Sequence, residues 1–192
     1  MRVVAINGSP RREGNTHDML QAALQPLVDA GHLVELFQIG GKDVRGCLAC
    51  DACQKAKNGA CPGRKDYLTE IMPSVMNADA LILGSPTYFA DVTAEMKAFI
   101  DRVGRVARCN DHALKRKLGA AVVTQRREGG IHAFDTMNHL FTISQMIVVG
   151  SSYWNDGIGA PKGAAAKDQE SMDIMFTLGH NMAWLMKKLE EA

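Results

Sequence analysis

The sixteen residues MRVVAINGSPRREGNT, Met1 to Thr16, decide the fold. An apolar run, Val3–Ile6, gives way to a loop of small, hydroxylated and cationic residues, and an amphipathic segment of helical length begins near Thr16. A short, wholly apolar run that ends in Asn-Gly reads as a strand buried on both faces. A strand, a polar loop and a helix in that order are the opening half of a βαβ unit.

The same punctuation continues along the chain. Apolar runs bounded by Gly and Pro place further strands near Leu33–Gln38, Ala80–Leu83, Ala120–Thr124 and Met146–Gly150. Helix-length stretches lie near Thr16–Ala30, Lys65–Asn77, Ala94–Arg105 and His132–Ile143, with a last one near Asp168–Leu189. This alternation predicts an α/β parallel sheet covered by helices on both sides. Right-handed crossovers leave few topologies. Five parallel strands fit the order 2-1-3-4-5 of a flavodoxin-like three-layer sandwich, which binds ligands beyond the carboxyl ends of its strands. Residues 1–192 read as one domain, with a cysteine-rich insertion at about 46–62.

Composition narrows the function classes. Lys and Arg total 22 against 21 Asp and Glu, so no global field draws the chain to nucleic acid or anionic lipid. No segment has the apolar length of a membrane span. The opening MRVVAING enters a strand pattern at once and leaves no room for the regions of a signal peptide, so a cytoplasmic location is expected.

The topology directs attention to the loops after Ile6, Leu83 and Thr124. The first, Asn7 to Thr16, has the composition of an anion site. Asn15 is expected to cap the helix, leaving first-turn N–H groups and the positive end of the helix dipole facing the loop. Ser9, Asn15 and Thr16 offer hydrogen bonds to phosphate oxygens, and Arg11 or Arg12 a charge-assisted fork. Neither G-x-x-x-x-G-K-[ST] nor G-x-G-x-x-G is present, so no triphosphate or Rossmann dinucleotide site is indicated. The alternative is an ordinary polar loop. In the second, Gly84-Ser85-Pro86-Thr87-Tyr88-Phe89, the aromatic residues and backbone N–H groups suit a flat heterocycle. Lys97 and Asp101, four apart on the following helix, read as a solvated ion pair.

GSPRREGNT together with GSPTYF and the later T-A-x-M-K-x-F-I-D-R resembles the NAD(P)H-dependent FMN reductase and multimeric flavodoxin superfamily over nearly the whole chain. The resemblance implies FMN, with phosphate contacts from Ser9, Arg11, Asn15 and Thr16 and ring contacts from Pro86, Thr87, Tyr88 and Phe89. It also implies ring contacts near Thr124 and Gly129 in the third loop, Thr124 to Gly130. The consecutive Arg126 and Arg127 there suit either the phosphates of a nicotinamide nucleotide or solvent.

Between the second strand and the next helix, Cys47, Cys50, Cys53 and Cys61 follow the pattern C-x2-C-x2-C-x7-C-P. Two x2 spacings turn three sulfurs toward one centre, as in ferredoxin runs, although the gap of seven departs from the usual three. The motif resembles that of iron–sulfur flavoproteins in the same superfamily, which implies a [4Fe–4S] cluster near FMN. Three other readings stay open: thiols that bind no cluster, a tetrathiolate zinc site and a redox-active Cys47–Cys50 pair. Cys109 reads as an idle thiol, and the six histidines share no metal-ligand spacing.

The aromatic, Gly-rich segment from Gly150 to Pro161 reads either as a packed Ω-loop or as a cover for the flavin of a neighbouring chain, with Trp154 shaping a pocket. The resemblance implies a homodimer or homotetramer with FMN at the subunit contact. The expected function is an FMN-dependent oxidoreductase that reduces flavin, quinone or another small electron acceptor with NAD(P)H. The alternative is an iron–sulfur flavoprotein that carries electrons from ferredoxin through the cluster. No catalytic acid or base is nominated, because the flavin supplies the chemistry.

Overall fold

The computed structural model describes residues 1–191. Strand β1 (Arg2–Asn7) leads into α1 (Asn15–Asp29), followed by β2 (Leu33–Gln38), a short helix α2 (Ala52–Ala56) and α3 (Tyr67–Asn77). Then come β3 (Ala80–Pro86), α4 (Ala94–Cys109), β4 (Leu118–Gln125) and α5 (Gly130–Ile143). The chain ends with two short strands, β5 (Ile147–Val148) and β6 (Asp156–Ile158), and the long helix α6 (Gln169–Glu190).

All strand pairings are parallel and the order is β2-β1-β3-β4-β5, as the alternation predicts. The fifth position differs from the expected Met146–Gly150 strand. It is filled by two pieces: β5 pairs with Leu118 and Gly119, whereas β6 pairs with Val123 to Gln125 on the same edge of β4. The chain leaves the sheet between them. Val123 N donates to Asn155 O at 2.9 Å as it returns.

The period of two along each strand divides the core. Val4, Ile6, Leu81, Leu83, Ala121 and Val123 face α3, α4 and α5, where Leu68, Met72, Phe99 and Phe141 are fully buried. Val3, Ala5, Ala80, Ile82, Ala120 and Val122 face α1 and α6, against Leu20, Leu24, Leu178 and Met182. Helices thus cover both faces, which leaves the carboxyl ends of β1, β3 and β4 open to the loops that follow them.

Candidate functional site

Asn7 ends β1 and organises the first loop. Its Oδ1 accepts from Ser9 N at 3.0 Å, and its Nδ2 donates to Gln38 Oε1 at 2.8 Å. Gln38 donates in turn to the carbonyls of Ser9, at 2.5 Å, and Gly40, at 2.8 Å. Gly8 N reaches Gly84 O at 2.8 Å, and Thr93, whose side chain caps α4, donates from Oγ1 to Gly8 O at 2.8 Å. The loop is therefore held from β2, β3 and α4 before any ligand arrives.

Asn15 is not the cap of α1. Gly14 takes that place with no side-chain cap bond, and Asn15 is the first helical residue, buried. Its Nδ2 donates to Gly159 O at 2.6 Å and Pro161 O at 2.8 Å, while Oδ1 accepts from Ala165 N at 3.2 Å. Both amide hydrogens are engaged, so Asn15 ties the C-terminal loop to the head of α1. A helix start without a side-chain cap leaves first-turn N–H groups free for an anion. One residue on, Thr16 Oγ1 and Thr124 Oγ1 lie 2.6 Å apart as a buried hydroxyl pair joining α1 to β4.

These loops enclose a cavity of about 570 Å³, lined by Ser9, Arg11, Asn15 and Thr16 from the first loop and Pro86, Thr87 and Tyr88 from the second. Thr124, Gln125 and Arg126 come from the third, and Gly159, Ala160 and Pro161 form a further wall. Its volume suits a small organic cofactor. Among the described residues no carboxylate lines it, whereas Arg11 and Arg126 bring two guanidinium groups, so the interior favours an anion. Thr87 N is bonded to Thr124 O at 2.8 Å, yet Thr87 Oγ1 is buried without a partner among the described residues. A buried hydroxyl in that state takes a ligand atom or an ordered water as its partner.

Two of the expected contacts fall outside the lining. Phe89 lies at the tip of a turn closed by Tyr88 N to Asp91 O at 2.7 Å and is wholly exposed, with φ at 48°. The turn carries its ring away from the cavity. Gly129 caps α5 with φ at 86° and backs the second loop, where an added Cβ would lie 3.2 Å from Ala90 Cα. Trp154 does not line the cavity either. It is half exposed and packs edge-on against Tyr153, 4.8 Å between ring centres.

The sequence marks Gly150 to Pro161 as a loop or a flavin cover, and folding brings its last three residues, Gly159 to Pro161, against the cavity of the same chain. Gly159 N donates to Gln125 O at 2.9 Å, continuing the β6 register. A Cβ on Gly159 would lie 2.6 Å from Asn15 Nδ2, so only glycine admits the close approach. Gln125 joins this wall to α5, donating to Asp156 Oδ2 at 2.5 Å and accepting from Gly130 N at 2.8 Å. Burial pushes the Asp156 carboxyl up.

The cysteine loop forms a second site beside α4. Ala49, Asp51 and Lys57 adopt left-handed backbone conformations, with φ of 51°, 56° and 45°, a concentration of strain that winds the chain tightly. Cys47, Cys50, Cys53 and Cys61 all line one small pocket, together with Gly63, Arg64 and Arg105. A Cβ on Gly63 would lie 2.5 Å from Cys50 Sγ, so the backbone there leaves space for sulfur alone. Among the described residues no three Cys, His, Asp or Glu side chains converge on a single ion. The thiols of a cubane cluster each bind a different iron and are spread more widely than the ligands of one ion. The donor set, four thiols beside guanidinium groups, suits the chemistry of such an anionic cluster, and the space they enclose is about 20 Å³.

Among the described residues no helix is long and apolar enough to cross a membrane. Residues 1–160 match the model of the NADPH-dependent FMN reductase family. An iron–sulfur flavoprotein of Methanocaldococcus jannaschii is 33% identical over the full length of both chains. Another, from Methanosarcina thermophila, is 32% identical, with 82% of each chain covered. Among solved structures, a WrbA-like flavodoxin from Agrobacterium tumefaciens superposes with a TM-score of 0.67 at 15% identity, covering 97% of each chain. RosB, solved with 8-demethyl-8-formylriboflavin-5'-phosphate, gives a TM-score of 0.77 at 15% identity over 100% of this chain and 81% of its own. These two likenesses bear out the flavodoxin-like fold, and the family match with the full-length relative decides the identity: the chain belongs to the NADPH-dependent FMN reductase family.

Proposed function

We propose that the chain is an FMN-dependent oxidoreductase whose cofactor occupies the cavity at the ends of β1, β3 and β4. The observation that carries this reading is the carboxylate-free cavity with Arg11 at one end and the unpartnered Thr87 hydroxyl in the second loop. Ser9, Arg11, Thr16 and the uncapped first turn of α1 would hold the phosphate. Pro86, Thr87 and Tyr88 would lie along the ring system, with Gln125 and Arg126 at its edge. Asn15 keeps the Gly159–Pro161 wall in place and so limits the entry of water. When bound, the flavin supplies hydride and single-electron chemistry.

The four-cysteine pocket favours an added metal centre, and the iron–sulfur flavoprotein relatives support it. Cys47, Cys50, Cys53 and Cys61 would hold a [4Fe–4S] cluster, which supplies one-electron transfer when bound. The donor is then NAD(P)H acting at the flavin or ferredoxin acting through the cluster, and the final acceptor is a small molecule. The family resemblance supports a homodimer or homotetramer.

Anaerobic purification followed by an absorption spectrum and by flavin, iron and zinc analysis tests both sites together. One FMN and about four irons per chain are expected. A colourless protein that takes up no added FMN would overturn the cavity assignment. Steady-state oxidation of NADH or NADPH, compared with reduction by ferredoxin, then identifies the donor.

A further inference from the structure

Gln125 ends β4 and lines the cavity, and both ends of its side-chain amide are held. Its Oε1 accepts at 2.8 Å from the backbone N–H of Gly130, the first residue of α5, and its Nε2 donates to Asp156 Oδ2 at 2.5 Å. An amide turned end for end keeps its shape, so its neighbours decide which atom lies where. A turned Gln125 would set its NH2 group against the Gly130 N–H and its carbonyl against the Asp156 carboxylate. Both contacts would join like groups, and the observed orientation is therefore the one that persists. Gly130 belongs to the arrangement, since a Cβ there would lie 2.6 Å from Gln125 Oε1.

Nε2 carries two hydrogens. One goes to Asp156, and the other has no acceptor among the described residues. Gln125 lines the cavity whereas Asp156 stands outside the lining, so the free N–H is what this side chain offers a ligand there. The sheet brings Asp156 to its place. β6 pairs it with Val123, two residues before Gln125, and Val123 N and Asp156 N donate to Asn155 O and Trp154 O at 2.9 and 2.7 Å. The carboxylate is thus positioned by backbone pairing and not by a ligand.

We propose that Asp156 is a positioning residue for the flavin: it fixes the Gln125 amide so that an N–H, and not the carbonyl, faces the cavity. The inference rests on FMN occupying that cavity. The flavin ring is rich in acceptors, and reduction adds electron density to them. A hydrogen bond to a more negative acceptor is stronger, so the Gln125 N–H holds the reduced ring more tightly than the oxidised one. A loose amide gives up that preference, and a carbonyl turned to the cavity opposes it.

The test is the midpoint potential of FMN bound to the full-length chain, read from the flavin absorbance in an anaerobic titration. Asp156→Asn and Asp156→Ala carry the same charge, but only asparagine keeps a side-chain oxygen that accepts from Gln125. Relative to oxidised FMN, reduced FMN is expected to be held about tenfold less tightly in Asp156→Ala than in Asp156→Asn, a fall of about 30 mV for a two-electron couple. Gln125→Met, which leaves Asp156 in place, should show a fall of the same size against the wild-type chain and serves if Asp156→Ala does not fold. In the Gln125→Met background the Asn and Ala variants should have equal potentials.

Equal potentials in Asp156→Asn and Asp156→Ala with Gln125 present would overturn the proposal, and so would a difference that survives in Gln125→Met. A purely structural role loosens oxidised and reduced FMN alike and moves no potential. Failure of the wild-type chain to take up FMN would overturn the cavity reading and this inference with it, whereas uptake with unmoved potentials overturns the inference alone.

Discussion

Arg102 and Asp66 form an ion pair at 2.6 Å with side chains 0% and 1% exposed, and the pair fastens both ends of the cysteine insertion to α4. Arg102 also donates to Arg45 O at 3.2 Å and to Thr69 Oγ1 at 3.1 Å, and Asp66 accepts from Arg45 N at 3.1 Å and Thr69 N at 3.3 Å. Arg45 precedes the cysteines and Asp66 and Thr69 follow them, so one guanidinium closes the neck of the loop. Burial opposes the charge on Arg102, and the Asp66 carboxylate and Cys61 sulfur outweigh it.

Removing one member of a buried pair leaves the other charge uncompensated, at a cost of about 3–5 kcal/mol. Arg102→Met is therefore expected to lower unfolding stability by about that amount in urea titrations. Replacing both members, Arg102→Met with Asp66→Leu, should recover much of the loss. A double variant no more stable than the single one would show that the hydrogen bonds to the loop backbone, and not the pairing of charges, hold the neck.

The same pair sets an acid limit. Burial alone would raise the Asp66 carboxyl, but the Arg102 guanidinium and the N–H groups of Arg45 and Thr69 prevail and hold it below the usual range. A carboxyl lower in the folded state than in the unfolded one makes the native state bind fewer protons. Its contribution is whole above the unfolded value near ~3.9 and is lost as pH falls through the folded value. Stability measured across pH should therefore decline on acidification, and Asp66→Asn should flatten that decline while lowering stability at neutral pH. An unchanged acid slope in the variant would assign the decline to other carboxylates, Asp91 among them, which Thr136 and Val92 hold down.

Thr87 offers opposite signs for folding and binding. Its Oγ1 is buried without a partner among the described residues, a state that costs about 1–3 kcal/mol. Thr87→Val removes the unsatisfied atom at nearly constant shape, so the flavin-free chain should be as stable or more stable by about 1 kcal/mol. FMN binding should weaken by about tenfold, the loss of one hydrogen bond. Thermal unfolding of the apoprotein and a flavin fluorescence titration read the two effects apart. Equal affinity in both proteins would mean that the hydroxyl faces no ligand atom.

How far the site was legible follows from the range of each interaction. That Ser9, Arg11, Thr16 and Thr87 line the cavity is legible in the sequence, because the topology fixes where the loops at a switch point lie. Asn15 reads as a cap from its neighbours in the sequence, whereas Gly14 holds that position. The partners of Asn15, Gly159 and Pro161, are remote in sequence, and no local pattern encodes them. The aromatic ring of Phe89 and the family motif place it on the flavin, but consecutive left-handed residues at Phe89 and Ala90 leave that ring in solvent. The fifth strand reads as one run because Met146 to Gly150 is apolar, whereas the sheet edge accepts a second segment, Asp156–Ile158, after an excursion. Arg102 was legible as part of a helix motif, but its burial was not, since an arginine in a core depends on an aspartate 36 positions away.

The two ends of the cavity should separate by chemistry. Arg11 lies in the loop expected to hold a phosphate, lines the cavity and forms no ion pair among the described residues, so its charge is available to the ligand. Arg126 lines the cavity from the third loop. If Arg11 meets the phosphate, Arg11→Gln should weaken FMN by about tenfold, the scale of one partly solvated charge-assisted hydrogen bond. Riboflavin, which has the same ring and no phosphate, should lose almost nothing. The difference should shrink as salt is raised, because an exposed guanidinium is screened. Arg126→Gln serves as the control, with a smaller preference for either ligand. Fluorescence titrations of the two flavins against the three proteins provide the measurement. Equal losses for FMN and riboflavin in Arg11→Gln would move the phosphate away from the first loop.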